Sequence, residues 1–291
     1  MKQNSFTITV IGSGAVGGAL IHFIKNSSYS LRSIWNRAGG IVFQEDGSEV
    51  MIASSLPVSK NQIGDLVILA VPDDAISTVT SKLSKKDFPW ETKSVIHCSG
   101  NLSSDVLLPL DECGCSTASM HPIQTFKRGD KSDRFRNIFI SLEGDSDLIK
   151  TLTLLVRKMD AKELILTPQQ KSSLHIAAVL SSNYVVALMH QAKVILENAG
   201  VSDGIELLEP LIRQTIQNIF DKGTVEALTG PISRGDVKSV NKHVKELRTD
   251  EKSLQIYRIL GEIAAQITNS KGELSTSKID QIMAALRSDD T

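Results

Sequence analysis

Thr7-Ile8-Thr9-Val10-Ile11-Gly12-Ser13-Gly14-Ala15-Val16-Gly17-Gly18-Ala19-Leu20 is the stretch that decides how this chain is read. A short apolar run rich in β-branched residues meets Gly-x-Gly-x-x-Gly, and an apolar helical pattern follows at once. The order is strand, tight glycine turn, helix. In that setting Gly12 permits the turn, Gly14 lets the backbone approach a pyrophosphate, and Gly17 lets the helix pack closely on the strand. The first helical N–H groups and the helix dipole then face the phosphates. Gly12, Ser13, Gly14, Ala15, Val16 and Gly17 are therefore the expected contacts to a dinucleotide.

The end of the second strand carries the next signal. Ser33-Ile34-Trp35 reads as that strand, and Asn36 lies 19 residues beyond Gly17, where a ribose-contacting residue is expected. An NAD site places an Asp or Glu there to accept from the ribose hydroxyls. This chain has Asn36 and then Arg37. An amide that donates, followed by a guanidinium fork, suits a 2′-phosphate, so NADP(H) is the expected cofactor.

The 291 residues suit two domains, and 41% hydrophobic with 22% charged residues is the balance of a globular protein. A net charge of −1 calls for neither nucleic acid nor a membrane surface. No signal peptide is expected ahead of the first strand, and no apolar run is expected to reach transmembrane length. Cys98, Cys113 and Cys115 make no Cys-x-x-Cys pair and no even framework, which fits reduced thiols and a cytoplasmic location.

Strand and helix signals alternate through the first half. Asp65–Val71 is the clearest buried strand, and Asp73 or Asp74 is placed to cap the helix that follows. Ser94–His97, Thr117–His121, Asn137–Leu142 and Ala161–Leu166 read as further strands. Glu143-Gly144-Asp145 opens a helix that runs to about Lys158. Continuous apolar strands separated by helices imply a parallel sheet covered on both faces, with ligands at the carboxyl ends. Gly12, Asn36, Val71-Pro72 and His97–Gly100 all fall at such ends, so Val71, Pro72, Ser99 and Gly100 join the expected cofactor site. Beyond Thr167 the pattern is helical only: Gln169–Asn198, Glu206–Lys222, Asp236–Leu247, Asp250–Ser270 and Ser275–Leu286. The expected fold is α/β, a doubly wound sheet over residues 1–166 followed by an all-helical domain over 167–291.

Five further segments carry a resemblance: Val71-Pro72-Asp73, His97-Cys98-Ser99-Gly100, Ser119-Met120-His121-Pro122, Ser182-Asn183-Tyr184 and Leu228–Asp236. With the glycine turn they resemble the superfamily that includes pyrroline-5-carboxylate reductase, ketopantoate reductase, prephenate dehydrogenase and 6-phosphogluconate dehydrogenase. Those proteins pair an N-terminal Rossmann domain with a helical C-terminal domain. More narrowly, the chain resembles the branch whose C-terminal part is the domain of unknown function 2520. The resemblance implies an NADP-dependent oxidoreductase and supplies no settled substrate. Related enzymes also place a catalytic lysine and an asparagine on a comparable helix, at a spacing this chain does not share.

Hydride transfer to a carbonyl or imine needs a proton donor, and histidine suits neutral pH. His22, His190 and His243 lie in helices without a motif. His175 is the first choice for the donor and His121, fixed by the following Pro122, the second. At about 100° per residue Lys171, His175 and Ser182 share one helix face, with Asn183 on its flank. Lys171 and Asn183 complete the catalytic set. Arg234, held in the Gly230–Asp236 loop, is expected to grip a substrate carboxylate, with Ser182 and His97 as further substrate contacts. No metal-ligand spacing is present. The expectation is a reductase or dehydrogenase acting on a small keto, imino or hydroxy acid between the domains, in a homodimer built on the helical domain. The alternatives are a non-catalytic NADP(H)-binding sensor or scaffold, and an enzyme with a deazaflavin partner.

Overall fold

The computed structural model describes residues 6–43, 49–202 and 204–288. The chain begins β1 (Thr7–Ile11), α1 (Ala15–Lys25), β2 (Ser30–Trp35), β3 (Gly40–Phe43), β4 (Glu49–Ala53), β5 (Leu66–Leu69) and α2 (Asp73–Ser84). It continues through β6 (Ser94–His97), α3 (Leu108–Asp111), β7 (Ser116–Pro122), β8 (Phe139–Gly144), α4 (Ser146–Lys158), β9 (Lys162–Ile165) and α5 (Pro168–Ser181). These elements lie in the first of two compact units, Met1–Ser181 and Ser182–Thr291. The sequence changes character near Thr167, yet the first compact unit runs on through α5.

The nine strands form one sheet in the order β3-β4-β2-β1-β5-β6-β7-β8-β9. Its centre is parallel, as the continuous apolar runs predict. Successive residues alternate between two cores. Ile8, Val10, Ile68 and Ile96 pack with Leu20, Phe23 and Ile24 of α1. Ile11, Val67, Leu69 and Val95 pack with Ile76 and Leu83 of α2 and with Leu107 and Leu110. Both faces are thereby covered, which is why Leu66–Leu69 of β5 is apolar at every position.

Two pairings depart from the expected parallel sheet. β3 and β4 form an antiparallel pair at one edge, and β8 runs antiparallel to β7. Only a short 3₁₀ turn, Ser132–Phe135, lies between β7 and β8, so no helical crossover returns the chain to the sheet's starting side. The segment Glu143–Asp145 also differs from its expected role as a helix start. β8 continues through Glu143 and Gly144, and Asp145 alone caps α4, accepting from Asp147 N at 3.0 Å and Leu148 N at 2.8 Å. At α2 the position expected to cap is occupied by Pro72, and Asp73 instead accepts from Ser99 Oγ at 2.8 Å.

The second unit holds α6 (Asn183–Asn198), α7 (Glu209–Ala227), α8 (Val237–Leu247), α9 (Glu251–Lys271) and α10 (Thr276–Arg287). Its core is Val240, Ala265, Ile282, Ala285 and Leu286, from α8, α9 and α10. The long helix expected over Gln169–Asn198 is two helices, because Ser182 leaves helical geometry at φ −127°, ψ −71°. By length and composition the stretch 168–198 reaches what a membrane span needs, contrary to the sequence expectation. That stretch is interrupted at Ser182, and Lys171 within it is buried. α7 is kinked at Gly223, just after Lys222, where the sequence ends that helix.

Replacing Asp145 by Ala removes the carboxylate oxygen that accepts from both N–H groups at the α4 N-terminus. Urea unfolding should show a loss of about 1 kcal/mol, the ordinary worth of such a cap; an unchanged midpoint would mean that the cap contributes nothing.

Candidate functional site

The glycine turn at the carboxyl end of β1 is packed at two points and open at a third. Gly12 has φ +104°, and a Cβ there would lie 2.2 Å from the Ala70 carbonyl oxygen. A Cβ on Gly17 would lie 2.0 Å from the oxygen of Gly12. Gly14 is exposed, caps α1 without a side chain, and has nothing within 4 Å of where a Cβ would stand. The space beside Gly14 at the N-terminus of α1 is therefore open, and the first turn carries no acidic residue. An anionic pyrophosphate fits such a cradle.

Asn36 ties the next loop to this turn. Its Nδ2 donates to Ser13 Oγ at 2.6 Å, and its Oδ1 accepts from Ala38 N at 2.8 Å and Gly39 N at 2.7 Å. Much of the hydrogen-bonding capacity expected to serve a 2′-phosphate is thus spent on shaping the loop. Arg37 is exposed and has no hydrogen bond or ion pair among the described residues, which leaves its fork available to a phosphate.

The second cluster forms around the loop after β6. Lys171, on α5, is 1% exposed, and its Nζ donates to the Ser99 carbonyl at 2.7 Å. Its other N–H groups have no protein acceptor among the described residues. Burial lowers its pKa to about 8, against the opposing pull of Glu143, Cys98 and Asp73. Gly100 is wedged between two imidazoles: a Cβ there would stand 2.7 Å from His121 Nε2 and 2.9 Å from His175 Nδ1. The His121 and His175 ring centroids are 6.4 Å apart, edge to face. Neither ring is hydrogen-bonded to protein among the described residues. Burial, then Lys171 and His175, hold the His121 pKa down at about 4, so that ring is neutral at pH 7. The Cys98 thiol is pushed up to about 12 by burial and stays protonated.

The structure thus gathers Lys171, His121, His175, Ser99 and Gly100 in the first unit. Ser99 contributes its carbonyl to Lys171, while its hydroxyl donates to Asp73 and accepts from Asn101 N at 3.1 Å and Leu102 N at 3.0 Å. Val71 and Pro72 stand at the β5–α2 junction as expected.

His97 is corrected as a substrate contact. It is fully buried, its Nδ1 accepts from Ser99 N at 3.2 Å and its Nε2 meets Ser103 O at 3.1 Å, so both nitrogens hold backbone. Its pKa falls to about 4, chiefly through burial. The single helix face drawn through Lys171, His175 and Ser182 fails at the Ser182 break. Ser182, Asn183 and Arg234 belong to the second unit. There Ser182 Oγ donates to Asn183 Oδ1 at 3.0 Å. Arg234 is exposed in the loop before α8, whose N-cap Asp236 accepts from Ser239 N at 3.1 Å. Among the described residues no group of three or more metal-ligating side chains comes together. Glu143 escaped the sequence reading, since Glu-Gly-Asp resembles a helix start more than a strand end.

A Rossmann-like domain model matches residues 1–122, and the model of the domain of unknown function DUF2520 matches residues 138–264. The chain thus pairs a Rossmann-like domain with DUF2520. No curated protein matches it in sequence. Among solved structures, a candidate NADP oxidoreductase from Bacteroides fragilis, BF3122, is 20% identical at a TM-score of 0.71, covering 91% of this chain and 98% of that one. Protein TM1727 of Thermotoga maritima is 23% identical at 0.70, covering 91% of this chain and 100% of that one. An imine reductase from Myxococcus stipitatus in complex with NADP+ is 15% identical at 0.54, covering 97% and 93%. At these identities the likeness establishes a shared fold.

His97 makes stability pH-dependent. Its folded pKa lies below the unfolded value of about 6.5, so the unfolded chain binds the proton first as pH falls, and stability is lost from about pH 6.5 down to about 4. Urea unfolding across that window should fall less steeply in His97→Gln than in the wild type, by up to about 3 kcal/mol in total. Parallel curves would show that His97 carries no such burden.

Proposed function

We propose that this protein is an NADP(H)-dependent oxidoreductase that moves a hydride to or from a small keto, imino or hydroxy compound bearing a carboxylate. The observation that carries the reading is the cluster of Lys171, His121 and His175 around Ser99-Gly100, beyond the carboxyl end of β6. A protein that only shaped a core would leave no buried ammonium with unused N–H groups and no pair of imidazoles without protein partners. The likeness to NADP oxidoreductases and to an imine reductase bound to NADP+ supports the same reading by analogy of fold.

The roles follow from charge. When bound, the cofactor supplies the hydride. Lys171, with a pKa of about 8, is mostly protonated at pH 7 and can give a proton to a developing alkoxide or amine. His121 is neutral there, so it serves as a hydrogen-bond donor or acceptor rather than an acid. His175, one helical turn beyond Lys171, presents a second ring beside Gly100. The Lys171 N–H groups without an acceptor among the described residues can donate to a substrate carboxylate. NADP(H) is preferred over NAD(H) because the end of β2 offers Arg37 and no acid.

NADPH fluorescence titration should show binding, and Arg37→Ala should weaken NADPH by about tenfold while leaving NADH nearly unchanged, the loss expected for one charged contact. With a panel of keto and imino acids, Lys171→Met should lower kcat by about a hundredfold or more. Tight binding with no turnover across the panel would favour the sensor instead.

We also propose a homodimer through α6 and α7. Neither helix buries a single side chain, while Tyr184, Val186, Leu211 and Phe220 are 59%, 71%, 65% and 81% exposed. With Leu207, Ile195 and Ile216, the apolar area left open is on the order of the ~800 Å² per partner of a standard interface. Light scattering should give twice the 31.7 kDa chain mass, and the double change Leu211→Glu, Phe220→Glu should yield monomer. A monomeric wild type would reject the dimer.

A further inference from the structure

Three polar residues cross the first unit's sheet in register. His97 on β6 pairs with Ser119 on β7, and Ser119 pairs with Glu143 on β8. Directly paired residues point to the same face, so the three side chains form one band. All are buried, at 0%, 0% and 4% exposure. The Glu143 carboxylate accepts from Ser104 N at 2.8 Å, Ser104 Oγ at 2.7 Å and Ser119 Oγ at 3.2 Å. At the other end of the band His97 Nε2 meets the Ser103 carbonyl. Both ends therefore grip Ser103-Ser104, the far end of the loop that begins at Cys98. The middle of that loop gives Ser99 O to Lys171 and sets Gly100 between the two imidazoles.

We propose that Glu143 is the positioning residue of this site: it anchors the loop 98–104 to the sheet and is the counter-charge for the buried Lys171 ammonium. A buried carboxylate held by neutral donors alone is costly, as is a buried ammonium on one carbonyl. The two make no direct ion pair among the described residues, and Glu143 leads the groups that oppose the effect of burial on Lys171. The groups acting on Lys171 from the surrounding elements are Glu143 on β8, Cys98 after β6 and Asp73 on α2. The Lys171 charge is felt in turn by His97 on β6 and His121 on β7, and His175 stands on its own helix. Asp73 is exposed and Cys98 stays protonated, which leaves Glu143 as the buried carboxyl of the three. The role in turnover rests on the oxidoreductase reading; the charge coupling does not.

Glu143→Gln keeps an acceptor for Ser104 N–H and a group that can bond the two hydroxyls, while removing the charge. Lysine ¹⁵N NMR, with Lys171→Met to assign the signal, should show Lys171 titrating near pH 8 in the wild type and at least one pH unit lower in Glu143→Gln. Asp73→Asn should move it less. An unmoved Lys171 midpoint in folded Glu143→Gln overturns the proposal. Should Glu143→Gln fail to fold, adding Lys171→Met should restore folding, and a double variant that stays unfolded overturns it too. This titration needs neither cofactor nor substrate. A shifted midpoint with no oxidoreductase activity would reject the function alone, whereas an active enzyme whose kcat–pH profile ignores Glu143→Gln would reject the positioning role alone.

Discussion

The Lys171 ammonium, almost wholly removed from water, is the constraint to which the chemistry-bearing part of the first unit answers. A charge so placed must find an acceptor and an opposite charge, or give up its proton. The acceptor is the Ser99 carbonyl, and it draws α5 onto the end of β6. That bond ties α5 to the first compact unit, which runs through Ser181 although the alternating strand pattern ends earlier. The same contact brings His175, four residues further along α5, to Gly100, where any larger residue would collide with both imidazoles. One buried lysine thus fixes a helix, a loop and the spacing of two rings.

Much of this was legible in the residues. The run Leu66–Leu69 is apolar at every position because its strand packs on helices from both faces, and that pattern needs no knowledge of strand order. The glycine turn was legible for a similar reason, since its three glycines answer to local geometry. The reversal of β8 was not, because direction depends on what connects two strands, and the segment between Pro122 and Phe139 carries no periodicity that separates a turn from a crossover. Glu143 was hidden by that reversal. In sequence it sits in a Glu-Gly-Asp start signal, and only its pairing with Ser119 reveals a buried carboxylate. The break at Ser182 was equally hidden, since serine tolerates helix and turn alike.

The histidines show how burial sorts residues of one type. His97 and His121 stand at or near strand ends, and both have their pKa lowered to about 4 by burial. Their partners separate them. His97 spends both nitrogens on backbone and is a structural clamp. Among the described residues His121 spends neither, so its ring keeps an unused donor and acceptor. Sequence spacing ranked these residues by motif; the hydrogen-bond count ranks them by what remains unused, which is the property that chemistry requires.

The same distinction applies to the glycine turn. A close-packed turn in any α/β protein can require Gly12 and Gly17, because the Ala70 and Gly12 carbonyls leave no room for a side chain there. Nothing among the described residues requires Gly14. Its Cβ position is empty and exposed, and alanine would fit without strain. A glycine with no internal reason, placed as the N-cap of a helix whose first turn carries no acid, is best explained by a ligand that approaches the backbone there. The two packed glycines establish the turn and the open one carries the functional inference. Gly14→Ala should accordingly leave the unfolding midpoint unchanged and weaken NADPH binding, whereas Gly12→Ala should unfold the first unit. A Gly14→Ala protein that binds NADPH as tightly as the wild type would remove the phosphate cradle from this turn.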